Sequence, residues 1–438
     1  MFDLPKYGDG VCLGRLAALL EALAIDRDQL SRNAVVVTGS NGKGSTAAFC
    51  ATIGNAFGLR TGLFTSPHLY RINERFQVDG QPISETGLTR HAASVEAAIS
   101  EISQRTGEQF GSFEALFALA CLHFRESGCD FTVFEAGIGG RYDPVRLVGA
   151  HESCVTSVDY EHVNLLGNRL ELIASDKSDA CASPGVIIYG ENCRGLRPHL
   201  LEYLRNRGII ALFVRDEIAI SGESASPSYQ RFELRFDDCD FTSLELRLSG
   251  AFQLNNAAVA ATLFRLWLRR TRPEVQLAKI EAAVRAGLRR TNWPGRLEIV
   301  RETPLTIIDV GHTPDAVKQS LASLRALYGS DGWILVTGVS SDKKADEIVT
   351  ALAPSFDTIV CTSAHHKGTP AQAIAAAVRQ ANPHAGIHLA ETIRDAVDIS
   401  TRLARSQTRK IYVAGGLFVA IEYATVARGD KVEDLKFF

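Results

Sequence analysis

The residues best able to do chemistry stand close together near the start of the chain. Val35-Val36-Val37-Thr38-Gly39-Ser40-Asn41-Gly42-Lys43-Gly44-Ser45-Thr46 passes from a β-branched run into a glycine-rich turn carrying one lysine, and Ala47-Ala48-Phe49-Cys50 then starts a helix. Glycines let backbone N–H groups close on an anion, the helix N-terminus adds its positive dipole end, and Lys43 supplies a full charge. That combination is a phosphate cradle. Its spacing departs from the common P-loop, where Ser or Thr directly follows the lysine: here Gly44 intervenes before Ser45, and no glycine lies six residues before Lys43. The competing reading is a tight strand-to-helix turn with a solvated lysine. Three glycines around one lysine, directly after a strand, argue against it.

A triphosphate needs a divalent cation to screen it, and Mg²⁺ takes oxygen ligands. Ser45, Ser66 and Glu135 offer such oxygens. Glu135 ends the apolar run Phe131-Thr132-Val133-Phe134, the position of a Walker-B-type acid; the plain alternative is a surface carboxylate at a turn. His162 is an unusual magnesium ligand on hardness alone, and a histidine after a strand is more often structural.

Several elements must position these groups. Leu13 to Leu23 and Phe113 to Phe124 have helical apolar spacing, whereas Gly62 to Thr65, Phe131 to Phe134 and Cys154 to Val158 read as short strands. Strands alternating with helices imply a mostly parallel sheet, whose ligands collect at the carboxyl ends of strands. Lys43, Ser66, Glu135 and His162 all lie just past such ends. Polar alternation around Tyr229 to Phe236 predicts an antiparallel pair at the edge of this first domain, followed by helices over Asn255 to Arg269 and on to about Arg290. Thr291-Asn292-Trp293-Pro294-Gly295-Arg296 has linker chemistry. Beyond it Leu305 to Asp309, Trp333 to Val339, Thr358 to Thr362 and Lys410 to Ala414 are four further strand candidates. The expected fold is α/β: a P-loop-type, mostly parallel ATPase domain over 1–296, then a smaller Rossmann-like α/β domain over 297–438.

Composition narrows the partners. The 438 residues carry 46% hydrophobic and 22% charged side chains, ordinary for a globular protein of two domains. A net charge of -3 gives no electrostatic case for nucleic acid or an acidic membrane. With no signal peptide or long apolar run in sight, the expectation is a cytoplasmic monomer. The nine cysteines are scattered, without a C-x-x-C pair, and read as reduced thiols.

Five motifs recur in a definite order: Thr38-Gly39-Ser40-Asn41-Gly42-Lys43-Gly44-Ser45, Phe64-Thr65-Ser66-Pro67-His68-Leu69, Glu135-Ala136-Gly137-Ile138-Gly139-Gly140-Arg141, Pro294-Gly295-Arg296 and Asp309-Val310-Gly311-His312. Together they resemble the folylpolyglutamate synthase/dihydrofolate synthase family of the Mur-ligase superfamily, from about Leu13 to the C-terminus. The resemblance implies an ATP-dependent amide ligase. A substrate carboxylate takes the γ-phosphoryl group of ATP, and glutamate then displaces phosphate from the acyl phosphate. It also implies roles. Asn41, Gly42, Lys43, Gly44, Ser45, Thr46 and Asn256 would hold the nucleotide, with Arg296, Asp309 and His312 from the linker and second domain. Ser66, Glu135 and His162 match magnesium ligands, and Lys177 matches a lysine carbamylated in this family; a second, monovalent or divalent, cation is allowed. Lys43, Lys177, His162 and Arg296 would serve catalysis. Ser112, Phe113 and Glu114, with Tyr142, Asp143 and Pro144, fall where the family binds its pterin-bearing substrate.

Departures cluster at that acceptor side. The family's Arg-Leu-Asp-Ala-Thr-Asn is Arg141-Tyr142-Asp143-Pro144-Val145-Arg146 here, and Pro144 removes a backbone donor and fixes φ. Glu-Lys-Ala-Gly-Ile becomes Asp176-Lys177-Ser178-Asp179-Ala180, Ala-His-Asn-Pro becomes Gly311-His312-Thr313-Pro314, and Gly111 stands where the family tends to carry threonine. Two further readings follow: a diverged ligase of the same mechanism joining a non-folate carboxylic acid to an amino acid or amine, and a non-catalytic nucleotide-binding protein.

Overall fold

The computed structural model describes residues 4–5, 8–10, 12–343 and 345–437. Its first sheet contains β1 (Ala34–Thr38), β2 (Thr61–Phe64), β3 (Phe76–Val78), β4 (Gln81–Pro82), β5 (Phe131–Glu135), β6 (Glu152–Val155), β7 (Gly185–Tyr189) and β8 (Ile209–Phe213). The strand order is β4-β3-β2-β5-β1-β6-β7-β8. β2, β5, β1, β6, β7 and β8 run parallel, and β3 and β4 continue the edge antiparallel. β1 is buried at every position, as a β-branched central strand covered on both faces should be. It lies between β5 and β6, where the strand order reverses, so a crevice opens beyond its carboxyl end.

Two apolar layers hold this sheet. On one face the Ser112–Glu126 helix contributes Phe117 and Phe124, which pack with Phe64, Phe76 and Phe134. On the other face Phe131 meets Phe264 and Trp267 of the Phe252–Thr271 helix, with ring centroids 5.5 and 4.4 Å away. That helix packs on the Lys43–Phe57 helix that follows the phosphate loop.

Two local readings change. The helix after the loop starts at Lys43, not near Ala47, because Gly42 takes a left-handed conformation (φ 87°) and caps it. The strand expected over 154–158 is β6 and ends at Val155; beyond it the Thr156 and Ser157 hydroxyls turn to donate to the Asn41 carbonyl, at 2.6 and 3.0 Å.

The expected antiparallel pair is a three-stranded sheet of its own, β11-β10-β9, made of β9 (Ala219–Ala225), β10 (Gln230–Arg235) and β11 (Asp240–Leu246). Its Phe232, Leu234, Phe241 and Leu244 join the same core as Phe264. β9 was illegible because only Ile220 in it is buried.

The third sheet has β12 (Glu298–Glu302), β13 (Leu305–Ile308), β14 (Trp333–Thr337), β15 (Thr358–Thr362), β16 (Gly386–Ala390) and β17 (Lys410–Ala414), in the order β12-β13-β17-β14-β15-β16. Four of these are the expected strands. β12 and β16 are edge strands with little burial and hence no apolar run to read. β12 is antiparallel, the rest parallel. All nine cysteines are free thiols, six of them buried. Among the described residues no helix is long and apolar enough to cross a membrane.

Candidate active site

The phosphate loop is built by close approach. A Cβ on Gly42 would lie 2.5 Å from Asn256 Oδ1, and one on Gly44 would lie 3.1 Å from the Trp293 ring. Asn256 and Gln253, side by side on the Phe252–Thr271 helix, therefore lean over the loop. Asn256 Nδ2 donates to Gln253 Oε1 at 2.9 Å, and Gln253 Nε2 donates to Ser45 Oγ at 3.3 Å. Lys43 curls back on its own loop, where its ammonium donates to the carbonyls of Gly39 (2.8 Å) and Ser40 (3.2 Å). Asn41 Nδ2 and Thr46 Oγ1 are buried without a protein partner, as donors awaiting an anion would be.

Buried charge surrounds this loop. Glu135 ends β5 and accepts a hydrogen bond from the Ser66 N–H at 3.1 Å. Burial pushes its carboxyl up to about 7, against the opposing pull of Lys43, the Ser66 N–H, Arg296 and Arg75. From the turn after β6 a second carboxylate enters, Glu161, whose Oε1 lies 2.5 Å from Lys177 Nζ. Burial alone would raise the Glu161 carboxyl, but Lys43 and Lys177 outweigh it and hold it at about 2. His162, the next residue, is left-handed (φ 43°), caps the short Val163–Leu166 helix and is exposed.

The linker and second domain close the other side. Asp309 is buried and accepts from the Leu297 N–H (3.1 Å) and the Gly311 N–H (2.8 Å). Burial raises its carboxyl, and the Arg296 guanidinium opposes the shift. His312 is lowered to about 4 by burial and by the charges of Lys343 and Arg296. Thr313 Oγ1 sits 3.4 Å from Asn41 Oδ1, so the loop after β13 reaches the phosphate loop itself. Arg296 acts on Glu135 in the first unit and on Asp309 and His312 in the second, which puts it at the junction.

The acceptor-side residues are less free than their motif implied. Glu114 pairs with the buried Arg15 at 2.8 Å and accepts from the Gly111 N–H at 2.7 Å, so it caps its helix. Asp143 accepts from the N–H groups of Gly137, Ile138 and Val145 at 2.9, 2.9 and 3.0 Å and braces the glycine turn; burial lifts it to about 6. Ser112 begins that helix and Pro144 is buried as the first residue of a 3₁₀ turn. Phe113 packs 5.8 Å from Phe64, below the space a Gly137 Cβ would fill. Tyr142 stays 58% exposed and is the side chain of this set left for a ligand.

Sequence reading missed Glu161, Gln253 and Trp293. Glu161 adjoins His162 in the same motif, but nothing in the order of residues tells which of the two turns inward. Gln253 carries a readable signal, its spacing of three from Asn256 on one helical face. Among the described residues no three His, Cys, Asp or Glu side chains cluster as a metal site. The expected ligand set holds just two of those types, Glu135 and His162.

A mostly parallel sheet with a lysine-bearing phosphate loop at its switch point, joined by a Pro-Gly-Arg linker to a second α/β sheet, defines a two-unit nucleotide-binding protein of the Mur-ligase fold. Residues 295–416 match the family described as Mur ligase, glutamate ligase domain. The chain is 30% identical over 449 residues to the dihydrofolate synthase/folylpolyglutamate synthase of Mycobacterium tuberculosis, covering 93% of this chain and 85% of that one. It is 30% identical to the folylpolyglutamate synthase of Lacticaseibacillus casei, covering 81% of each chain. It spans 49% of the length of a probable bifunctional folylpolyglutamate synthase/dihydropteroate synthase of Haloferax volcanii, at 29% identity and 97% of this chain. The structure of Mycobacterium tuberculosis folylpolyglutamate synthase complexed with ADP superposes with a TM-score of 0.86 and 28% identity, covering 95% of this chain and 94% of that one. The chain belongs to the folylpolyglutamate synthase/dihydrofolate synthase family.

Proposed function

We propose that this chain is an ATP-dependent ligase that joins glutamate to the carboxylate of a pterin- or folate-type acceptor through an acyl phosphate. The observation that carries this reading is the Lys43 loop, facing buried Glu135 and half-buried Glu161 inside a chain of this family. A relative in the same fold is described in complex with ADP, and another with AMPPCP and folate. The chain divides as 1–296 for nucleotide binding and 297–438 for the ligase domain, the third sheet beginning at Glu298.

Catalysis of phosphoryl transfer is mostly positioning and charge neutralisation. The loop N–H groups and the start of the Lys43–Phe57 helix receive the phosphates, and Lys43 exchanges its two loop carbonyls for a phosphate oxygen. Asn256 and Gln253 keep the loop shape from one side. Arg296, His312 and Asp309 bring the second unit to the transferred group. His312 stays neutral above pH of about 4, free to accept or donate one hydrogen bond without adding charge. Oxygen donors at Ser66 and Glu135 fit a hard cation: a buried carboxylate held up at about 7 gains from a positive partner. Mg²⁺ there, with His162 as the family's further ligand, would screen the triphosphate charge. The family resemblance adds a carbamate on Lys177, whose unmodified ammonium lies 2.5 Å from Glu161 Oε1.

The test is ADP release from ATP in the presence of glutamate and a pterin carboxylate. Release that requires both substrates, and falls at least a hundredfold in Lys43→Met, supports the reading. A second reading keeps the mechanism but changes the acceptor. It draws on Asp143 and Glu114, both engaged by the protein's own donors, and on the Tyr142-Asp143-Pro144 loop. ADP release with other carboxylic acids and none with pterins decides for it. Free thiols throughout suit a reducing compartment, and we place the chain in the cytoplasm as a monomer, checked by fractionation and sedimentation.

A further inference from the structure

We propose that the segment 432–437 interlocks the two units, with Phe437 and His68 as positioning residues that hold the Ser66 loop against Glu135 while the second unit is docked. The use of Ser66 and Glu135 rests on the ligase reading. The coupling itself can be read without turnover.

The chain leaves the Leu417–Arg428 helix at Gly429, makes a 3₁₀ turn over Val432–Asp434 and runs back along the helix. Phe437 ends beside Phe418, the second residue of that helix, so the return covers about 15 Å at 1.5 Å per residue. The two ring centroids are 4.8 Å apart, edge to face, and the His366 ring lies 5.2 Å from Phe437. Phe437 also stacks on His68 of the first unit, with 6.5 Å between centroids and 5° between planes. Half-buried Leu435 and Phe437 alternate with exposed Lys436, the pattern of an extended segment laid on a surface. Both pack against the core of the second unit, and Leu69 and Tyr70 of the first unit join them there.

Beside the ring contact a line of hydrogen bonds runs into the candidate active site. Buried His68 has Nε2 2.7 Å from the Lys436 carbonyl oxygen, and its Nδ1 accepts from Nε of buried Arg75 at 2.9 Å. A guanidinium can only donate, so Nδ1 is the acceptor and the Nε2 N–H faces the carbonyl. Arg75 in turn holds the start of the same loop. Its carbonyl accepts from the Thr65 N–H at 3.2 Å, and the next N–H, that of Ser66, donates to Glu135 at 3.1 Å. Withdrawing the segment removes the stacked ring from His68 and the acceptor from Nε2, two constraints on the direction of the Arg75 bond. Packing alone would account for Leu435 and Phe437. It gives no reason for a buried imidazole and guanidinium aimed at the backbone of the segment. Groups that orient the ligands of a cation without touching it carry about ten- to a hundredfold in activity or affinity.

The experiment is hydrogen–deuterium exchange of the full chain, read by mass spectrometry over residues 61–76. Phe437→Ala is expected to speed exchange there at least tenfold, and faster exchange confined to the second unit overturns the proposal. Phe437→Tyr keeps the ring and is expected to stay within twofold of the unaltered protein; exchange as fast as in Phe437→Ala counts against the stacked contact. His68→Phe keeps a ring beside Phe437 and removes both hydrogen bonds, so it tests the polar path with the segment intact. Exchange over 61–76 as slow as in the unaltered protein overturns that path. Because both residues act on one path, the double variant is expected within twofold of the faster single one, and multiplying effects overturn the coupling. These readouts need neither an acceptor nor turnover, so they stand apart from the fate of the ligase assignment. Once ADP release is established, Phe437→Ala is expected to lower kcat at least tenfold with KM for ATP within threefold. An undiminished kcat overturns the positioning role.

Discussion

At the scale of single residues, the site works by placing opposite charges where water is scarce. Glu135 and Glu161 have the same side chain and opposite fates, one pushed up to about 7 by burial and one held at about 2 against burial by two lysines. His312 shows the same logic for a base. Burial and neighbouring cations lower it to about 4, so between pH 6.5 and 4 the unfolded chain binds a proton that the folded chain refuses. Stability from this group is therefore complete above pH 6.5 and is lost as pH falls toward 4. The loss is about 2 kcal/mol, less than the full linkage because the ring keeps partial exposure. Urea titrations at pH 7 and pH 4.5 should show a smaller acid loss in His312→Asn by that amount; an identical loss in both proteins would refute the assignment.

At the scale of elements, the phosphate loop is held open by a helix far from it in sequence. The Phe252–Thr271 helix is buried along most of its length, and it sets Gln253 and Asn256 above the loop. Trp267 anchors its far end against Phe131 and donates its indole N–H to the Arg32 carbonyl at 3.0 Å. Trp267→Ala leaves a large cavity and removes one of the two donors to the Arg32 carbonyl, Arg270 remaining at 3.2 Å, and should cost about 3–5 kcal/mol in chemical denaturation. Gln253→Leu removes the bond to Ser45 Oγ with little change of volume. It also strips buried Asn256 Nδ2 of its acceptor, so it should weaken nucleotide affinity severalfold, read by calorimetric titration with ADP, and lower the unfolding free energy by about 1–3 kcal/mol. The strength of the helical pattern made the first effect foreseeable. The second depends on which face of the helix meets the loop, and that is a tertiary fact.

At the scale of the whole molecule, the two α/β units meet through the linker and a few polar ties. The Val310 N–H donates to the Gly295 carbonyl at 2.9 Å, His68 Nε2 lies 2.7 Å from the Lys436 carbonyl oxygen, and Arg428, paired at 2.5 Å with Glu298 of its own unit, donates across to the Tyr70 hydroxyl at 2.7 Å. The Arg428 side chain is 37% exposed, so its ion pair competes with water and is screened by salt. Arg428→Met, which removes this pair and the bond to Tyr70, should change stability by no more than about 1 kcal/mol, and less in high salt; a loss of several kcal/mol in denaturation would show that the fold depends far more on the Arg428 contacts.

The order of residues by itself determined the cradle, the two mostly parallel sheets and the turn chemistry between them. Each is a local pattern: Val35-Val36-Val37 before glycines, alternating apolar strands and helices, Pro294-Gly295-Arg296 between them. Tertiary structure alone decided which neighbour of a motif does the work. Glu161 turns toward the loop and His162 is exposed because a left-handed backbone at His162 separates adjacent side chains. Asp143 and Glu114 look like ligand contacts in the motif, yet backbone N–H groups and Arg15 take them first. A buried carboxylate bonds whatever donors surround it, and those donors come from segments that only folding brings together.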